Sequence, residues 1–237
     1  MFMLMQPKKV GFVVFVLLFF FQSIPKTPAL GVDFIEKAHF NEDGSGLFSI
    51  EVDLTKAGTV LSIIKCLNLN TSCKLIKSIG YKSLHNAEEC LKSIADISQV
   101  GMRYDEKKLK FELSFNFHTI KALNKAMRKI NKGLDPPKIT YFSLQDGLFV
   151  RQDMNGIAKK VLFYQEYDNC LVKSLDLACF FKQTTYTTIY TFPKEIKDCS
   201  NPLSELTKNK KTIRIRHDVF APDQIEDSIG NRIHFIQ

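Results

Sequence analysis

Strict alternation of apolar and polar residues over positions 109–117 is the feature that most constrains the fold. Every second side chain is apolar, and the residues between are polar or charged. A period of two is typical of a strand with one buried face and one solvated face. The apolar positions are Leu109, Phe111, Leu113, Phe115 and Phe117. We therefore predict that this strand lines the core of a sheet.

Similar runs lie on both sides of short turn sequences, which predicts hairpins. Residues 34–40 and 47–54 flank a segment containing Gly44 and Gly46, and residues 100–104 precede the strand at 109–117. Glycine readily adopts the positive φ that hairpin turns require. Further strands are predicted at 140–144, 148–151, 184–192, 211–219 and 232–236, whereas residues 154–182 are ambiguous between helix and strand.

Helical spacing of apolar residues predicts helices over 55–67, 84–94 and 119–131. Thr55, Asn86 and Thr119 are the expected N-caps, because their side chains can accept a hydrogen bond from a free backbone N–H group. Strands joined by hairpin turns are antiparallel neighbours. The sequence therefore predicts an α+β fold, an antiparallel sheet of hairpins with two or three helices packed on one face.

The first 29 residues have the pattern of a secretory signal peptide. Lys8 and Lys9 precede the apolar block 10–21, and Thr27 and Ala29 fit the small residues of a cleavage site after Ala29. The block is well short of the roughly 20 residues that a membrane-spanning helix needs. The alternative is an uncleaved N-terminal anchor. We expect an exported protein of the periplasm or cell envelope.

Residues 30–237 are predicted to form a single exported domain. The alternative is a subdivision near 133–138, where Asp135 is followed by two prolines. The chain is 45% hydrophobic and 24% charged, which is typical of an ordinary globular protein and excludes disorder over most of its length.

An even number of cysteines in an exported chain permits disulfides. The six are Cys66, Cys73, Cys90, Cys170, Cys179 and Cys199. Two pairings are favoured in each half of the chain: Cys66–Cys90 or Cys66–Cys73, and Cys170–Cys179 or Cys179–Cys199. Buried free thiols are the alternative.

The densest basic cluster falls near the C-terminus, in a chain of formal net charge +8. Its members are Lys208, Lys210, Lys211, Arg214 and Arg216. A solvated hairpin would explain the cluster, and so would a contact patch for anionic lipid, an acidic polymer or a partner protein. The excess charge is too small and dispersed to indicate nucleic acid.

No metal or cofactor is predicted from the sequence. His85, Glu89 and Cys90 would share one region of a helix, but a third ligand is not in view. Common frames for catalytic serines and for phosphate-binding loops do not occur in the chain.

The order of several segments resembles a group of poorly characterised bacterial envelope lipoproteins, Bacteroidota-type sequences akin to the LppM-type domain. The resemblance spans most of residues 34–236. The segments are 42–46 with 49–54, 115–117 with 122–124, 186 with 192–197, and 210–213. It implies an exported α+β domain without established catalytic residues. This chain departs from the lipoprotein pattern, because its first cysteine is Cys66 and a lipobox is missing.

These observations favour an exported, non-catalytic envelope protein that binds an envelope component or a partner protein. A hydrolase whose site is assembled only in three dimensions is the alternative, so enzymatic activity stays open. A structural protein that pairs through an exposed strand edge is a third hypothesis.

Overall fold

Most of the described chain is β-strand. The structure is a computed structural model, and it describes residues 31–58, 88–105, 107–130, 140–152, 182–219 and 229–236. Within these ranges 52% of the residues lie in strands and 15% in helices. The strands are β1 (Asp33–Phe40), β2 (Gly46–Asp53), β3 (Ile97–Asp105), β4 (Lys110–Phe117), β5 (Phe142–Gln145), β6 (Leu148–Arg151), β7 (Thr185–Thr191), β8 (Ile196–Cys199), β9 (Ser204–Leu206), β10 (Thr212–Asp218) and β11 (Asn231–Phe235).

Seven strands form a mixed sheet in the order β3-β4-β2-β1-β7-β10-β9. The pairs within it are antiparallel except β1 and β7, which run parallel with Glu36 opposite Thr188. The other four strands form a second, antiparallel sheet in the order β5-β6-β11-β8. Two sheets, rather than one, therefore build the described part of the molecule.

This architecture contradicts the predicted α+β fold with helices packed on one face of an antiparallel sheet. A hairpin turn fixes only the neighbour that follows in the chain. The parallel pair β1 and β7 joins residues as distant as Asp33 and Thr185, which are 152 positions apart. Local periodicity carries no information about such a pairing, and it says nothing of how strands divide between sheets.

One long helix, α1 (Ile120–Ile130), follows β4 as predicted. The Thr119 hydroxyl accepts a hydrogen bond from the Ala122 N–H group at 3.1 Å, so Thr119 caps the helix. The buried Asn124 side chain accepts from the Phe142 N–H group at 2.9 Å and donates to the Phe142 carbonyl at 2.7 Å. These two bonds hold the start of β5 against α1.

The other predicted helices are described only in part. Residues 55–57 form a 3-10 turn whose N-cap is Leu54, so the N-cap predicted at Thr55 is wrong. The Thr55 hydroxyl instead donates to the carboxylate of Asp53, the last residue of β2. Residues 88–92 are helical and residues 93–94 are not. Residues 59–67 and 84–87 of the predicted helices lie outside the described residues, as do 153–181 and the boundary predicted near 133–138.

The predicted hairpins β1–β2, β3–β4 and β5–β6 are confirmed by their antiparallel registers. Strands β7, β10 and β11 also lie where alternation placed them. Strands β8 and β9 were not predicted, because four and three residues are too few to show a period.

Aromatic rings join the two sheets. The inner face of the large sheet contributes Phe40 and Tyr190, and the small sheet contributes Phe142 and Phe149. Ring centroids of Phe40 and Phe149 are 5.0 Å apart, and those of Phe149 and Tyr190 are 5.7 Å apart. The exposed fraction of each of these four residues is at most 1%, so their rings form the centre of the core.

Both edges of the large sheet are irregular or short. The register of β3 against β4 shifts between Ser98 and Gly101, where Gln99 adopts a φ of 50°. The opposite edge is β9, which has only three residues. A bulge and a short strand both limit the number of regular hydrogen-bonding positions along an edge.

We predict that Phe115→Ala destabilises the protein by about 3–5 kcal/mol, because Phe115 is fully buried and its removal leaves a cavity beside Phe48. Chemical unfolding measures the loss. Ser114→Ala, on the opposite face of β4, is the matched control and is expected to change stability by less than about 0.5 kcal/mol. Equal effects of the two substitutions would contradict the register of β4.

Candidate functional site

A buried ion pair connects the two sheets. Glu36 lies on β1 of the large sheet and Arg151 ends β6 of the small sheet, and their side chains are 0% and 2% exposed. The guanidinium donates from Nε to Oε1 at 3.2 Å and from Nη2 to Oε2 at 3.1 Å. This two-pronged geometry is the strongest that an arginine and a carboxylate can form.

Two tyrosines of β7 complete the hydrogen bonding of the Glu36 carboxylate. The Tyr190 hydroxyl donates to Oε1, and the Tyr186 hydroxyl donates to Oε2 at 2.6 Å. An ionised carboxylate has about four acceptor positions. Arg151, Tyr186 and Tyr190 supply four donors in total, so the carboxylate is saturated. We call these four residues the buried cluster.

The third nitrogen of the Arg151 guanidinium is also hydrogen-bonded. Its Nη1 atom donates to the carbonyl of Gln152 at 2.7 Å, and Nε also lies 3.1 Å from the Tyr190 hydroxyl. The guanidinium carbon is 4.8 Å from the centre of the Phe142 ring and 5.7 Å from that of Tyr141. Stacked aromatic rings favour a buried cation.

The surroundings shift the pKa values of the cluster in directions that preserve its charges. Burial alone would lower the pKa of Arg151, but the attraction of the Glu36 carboxylate outweighs it and the pKa is raised. Burial raises the pKa of Tyr190 well above its usual value near 10, and the negative charge of Glu36 raises it further. Both tyrosines therefore remain neutral donors at physiological pH.

The cluster is suited to holding the sheets together rather than to acid–base chemistry. Each oxygen of Glu36 already accepts two hydrogen bonds, which leaves no position for a substrate proton. The sequence carried a signal that our interpretation missed. Glu36 stands between Phe34 and Ala38 on the apolar face of a predicted strand, and a charge at such a position requires a buried partner.

The outer face of the large sheet carries two different charge patterns. On β2 and β4 the charges are paired, since the Lys110 ammonium lies 2.7 Å from Asp53 and 3.1 Å from Glu51. The hydrogen bond with Asp53 raises the pKa of Lys110, which stabilises the protonated ammonium. Lys37 lies 3.5 Å from the same Glu51. On this half of the face, Lys37 and Lys110 are therefore held in ion pairs.

The predicted basic residues lie on the other half of the same face and at the adjoining turn. Arg214 and Arg216 are exposed on β10, while Ile213 and Ile215 between them are buried. The turn 207–211 is closed by a hydrogen bond from the Thr207 N–H group to the Thr212 carbonyl at 2.9 Å. It carries exposed Lys208 and Lys210 and the half-buried Lys211. We call these five cations the basic hairpin.

Acidic side chains lie near the basic hairpin, but they do not form ion pairs with its cations in the described chain. Glu205 is directly opposite Arg214 on β9, yet within the described ranges none of the five cations forms an ion pair. Glu205 and Asp218 lie on this half of the face, but the five cations, unlike the paired lysine of β4, are not held in ion pairs of the described chain and can contact another molecule.

Other predicted site residues are described only in part. Cys90 is an exposed thiol and Cys199 a half-buried one, and neither is in a disulfide. The other four cysteines lie outside the described residues, so the pairings among them stay predictions. Where side chains are described, no three His, Cys, Asp or Glu residues form a metal-binding group. None of the described helices is long and apolar enough to cross a membrane.

We predict strong coupling between Glu36 and Arg151. Glu36→Leu leaves a buried cation without its partner, so this variant should lose about 3–5 kcal/mol of stability. The double variant with Arg151→Leu should lose less than the sum of the two single changes by about 2–3 kcal/mol.

Chemical unfolding of the four proteins measures the coupling. The exposed pair Arg103–Glu112, whose charged atoms are 3.9 Å apart, is the control and should show a coupling of at most about 1 kcal/mol. Additive losses at Glu36 and Arg151 would contradict the pairing.

Stability is expected to fall steeply above pH 10 through Tyr190. Below that pH the hydroxyl is protonated in both the folded and the unfolded protein. At higher pH the unfolded chain releases the proton while the folded protein, with its raised pKa, retains it. Tyr190→Phe should therefore reduce the slope of unfolding free energy against pH by about 1.4 kcal/mol per unit. Identical slopes in urea titrations of the two proteins would contradict this assignment.

Comparisons with known proteins do not assign the chain to a family. No family model matches it, and no curated protein matches it. Among solved structures it is similar to the NMR structure of the folded domain of LppM from Mycobacterium tuberculosis, with 6% identity over 90% of this chain and 94% of that one. The TM-score of 0.45 is too low for the likeness to carry an argument about this protein's fold, lipid attachment or function. The resemblance to the LppM-type family therefore remains an expectation.

Proposed function

We propose that this protein is an exported, non-catalytic binding module that contacts an anionic surface of the cell envelope through the basic hairpin. The observation that carries the proposal is the unequal charge pairing on the outer face. Lys110 is held by two carboxylates, whereas Arg214 and Arg216 on the same face form no ion pair in the described chain. Export is supported by the basic and apolar pattern of residues 8–21.

The strand geometry makes the two arginines available together. Residues two apart on a strand point to the same side and are separated by roughly 6.5 Å. Arg214 and Arg216 therefore place two guanidinium groups on the same side of the strand, and the adjoining turn adds Lys208 and Lys210. Guanidinium groups bind phosphate and carboxylate oxygens through paired hydrogen bonds.

The strength of such a contact is modest and depends on salt. Each cation near an anionic membrane contributes on the order of 1 kcal/mol. The attraction is screened over a Debye length of about 8 Å at physiological ionic strength. The basic hairpin therefore supports reversible contact.

The buried cluster supports a structural role for Glu36, the one buried carboxylate of the described chain, because all of its hydrogen-bond acceptor positions are occupied.

We predict that Arg214→Glu with Arg216→Glu weakens binding to anionic surfaces at least about tenfold, because two attractions become two repulsions. Co-sedimentation with phosphatidylglycerol vesicles and retention on an acidic polymer measure binding, at low salt and at about 0.15 M salt.

The matched control reverses Lys121 and Lys125, two exposed lysines of α1, and changes the net charge equally. A contribution of the N-terminal apolar segment is common to all variants. Equal binding by wild type and the arginine variant, or binding to neither surface, would contradict the proposal. A loss as large in the α1 variant would show that net charge alone is responsible.

A further inference from the structure

Three chain segments meet at one end of the large sheet, and one of them carries the three lysines of the basic hairpin. They are residues 192–196, which connect β7 to β8, residues 206–211, which connect β9 to β10, and residues 235–236, which end β11. Backbone hydrogen bonds join them, from the Phe192 N–H group to the Lys211 carbonyl at 2.9 Å, from Ile196 to Lys210 at 2.8 Å, and from Ile236 to Glu195 at 2.9 Å. We call these three segments the tip.

The tip combines lysines and one exposed carboxylate, that of Glu195, with exposed apolar side chains. Lys194 joins Lys208 and Lys210 as an exposed cation. Leu206 and Ile236 are 41% and 47% exposed, and they are two of the four large hydrophobic residues that are exposed in the described chain. The neighbouring residue Phe235 holds Ile236 in place, because the ring of Phe235 packs against that of Phe192 with centroids 4.9 Å apart.

This combination matches the boundary between lipid head groups and acyl chains. Lysine side chains can lie along an apolar layer with their ammonium groups among the phosphates. Leucine and isoleucine gain about 25 cal/mol for each Å² of apolar surface withdrawn from water. A soluble acidic polymer would attract the lysines but would offer nothing to Leu206 and Ile236. A bilayer uses both features of the tip.

We infer that the anionic surface is a lipid bilayer, which the tip enters with Leu206 and Ile236 below the level of the head groups. This inference rests on the proposed function and names its partner. Leu206 directly precedes the turn of the basic hairpin, so insertion of the tip brings Lys208 and Lys210 to the phosphates at the same time.

The charges at the same end of the sheet set the orientation. Because β1 and β7 are parallel, with His39 opposite Thr191, the turn 41–45 after β1 lies at the same end as the tip. That turn exposes Glu42 and Asp43. An anionic bilayer repels these two carboxylates. Across β7 the exposed cations Lys194, Lys208 and Lys210 outnumber the single exposed carboxylate of the tip, so that side is attracted. The protein therefore docks tilted, with the β9–β10 side toward the lipid and Arg214 close to the head groups.

The chain contains no tryptophan, which allows a position-specific test. Leu206→Trp and Ile236→Trp each place a single fluorophore at the tip. Leu47→Trp is the matched control, because Leu47 is 49% exposed at the same end of the sheet but on β2, beside the acidic turn 41–45 that the tilt keeps away from the lipid. All three exported proteins are mixed with phosphatidylglycerol vesicles, some of which contain brominated acyl chains.

We expect both tip tryptophans to shift their emission to shorter wavelength and to be quenched by the brominated chains, while Leu47→Trp does neither. The N-terminal apolar segment is common to the three proteins, so only the fluorophore's position distinguishes them. Circular dichroism checks that each variant is folded. A Leu206→Ser, Ile236→Ser variant should bind about tenfold more weakly than wild type at raised salt, where electrostatic attraction is screened.

The outcomes separate the two proposals. Vesicle binding without quenching of the tip tryptophans overturns tip insertion and leaves the proposed function intact. Polyglutamate that shifts the Leu206→Trp emission as much as vesicles do overturns the lipid assignment and favours an acidic protein or polymer. A wild-type protein that binds neither vesicles nor polyglutamate overturns both proposals.

Discussion

The contact between the Glu36 carboxylate and the Arg151 guanidinium is the interaction on which the arrangement of the two sheets depends. Either charge alone in this position would cost several kcal/mol, because water is excluded from both side chains. The pair is acceptable only while β1 and β6 face each other at the distance that allows two hydrogen bonds. Tyr186 and Tyr190 further restrict the position of the carboxylate, because their hydroxyls hydrogen-bond it from the neighbouring strand β7.

Local features of the sequence were sufficient to predict most individual strands. Alternation located β4 and β10 closely, and turn glycines such as Gly44, with a φ of 79°, marked the hairpins. The division into two sheets was not predictable in this way. It depends on the pairing of β1 with β7 and on the aromatic contact between Phe40 and Phe149. These residues are more than 100 positions apart, so the pattern of any short stretch of sequence does not show that they meet.

The same limit separates the two sites. The exposure of Arg214 and Arg216 was predicted correctly, because they occupy alternate positions of one strand and their exposure follows from the pleat, whereas the role of the basic hairpin as a contact surface stays a proposal. The buried cluster was missed, because Glu36 and Arg151 are 115 positions apart. A charged residue on the apolar face of a strand signals that a partner exists, but only the tertiary structure shows which residue it is.

The two edges of the large sheet have a consequence for how crowded copies of the protein behave. An open edge invites another chain to continue the sheet, which is the first step toward fibrous aggregates. Here the bulge at Gln99 interrupts β3, and β9 ends after three residues with Glu205 at its centre. Neither edge offers a long, flat template in the described chain. Copies concentrated on a surface would therefore be expected to stay separate molecules instead of growing into a shared sheet.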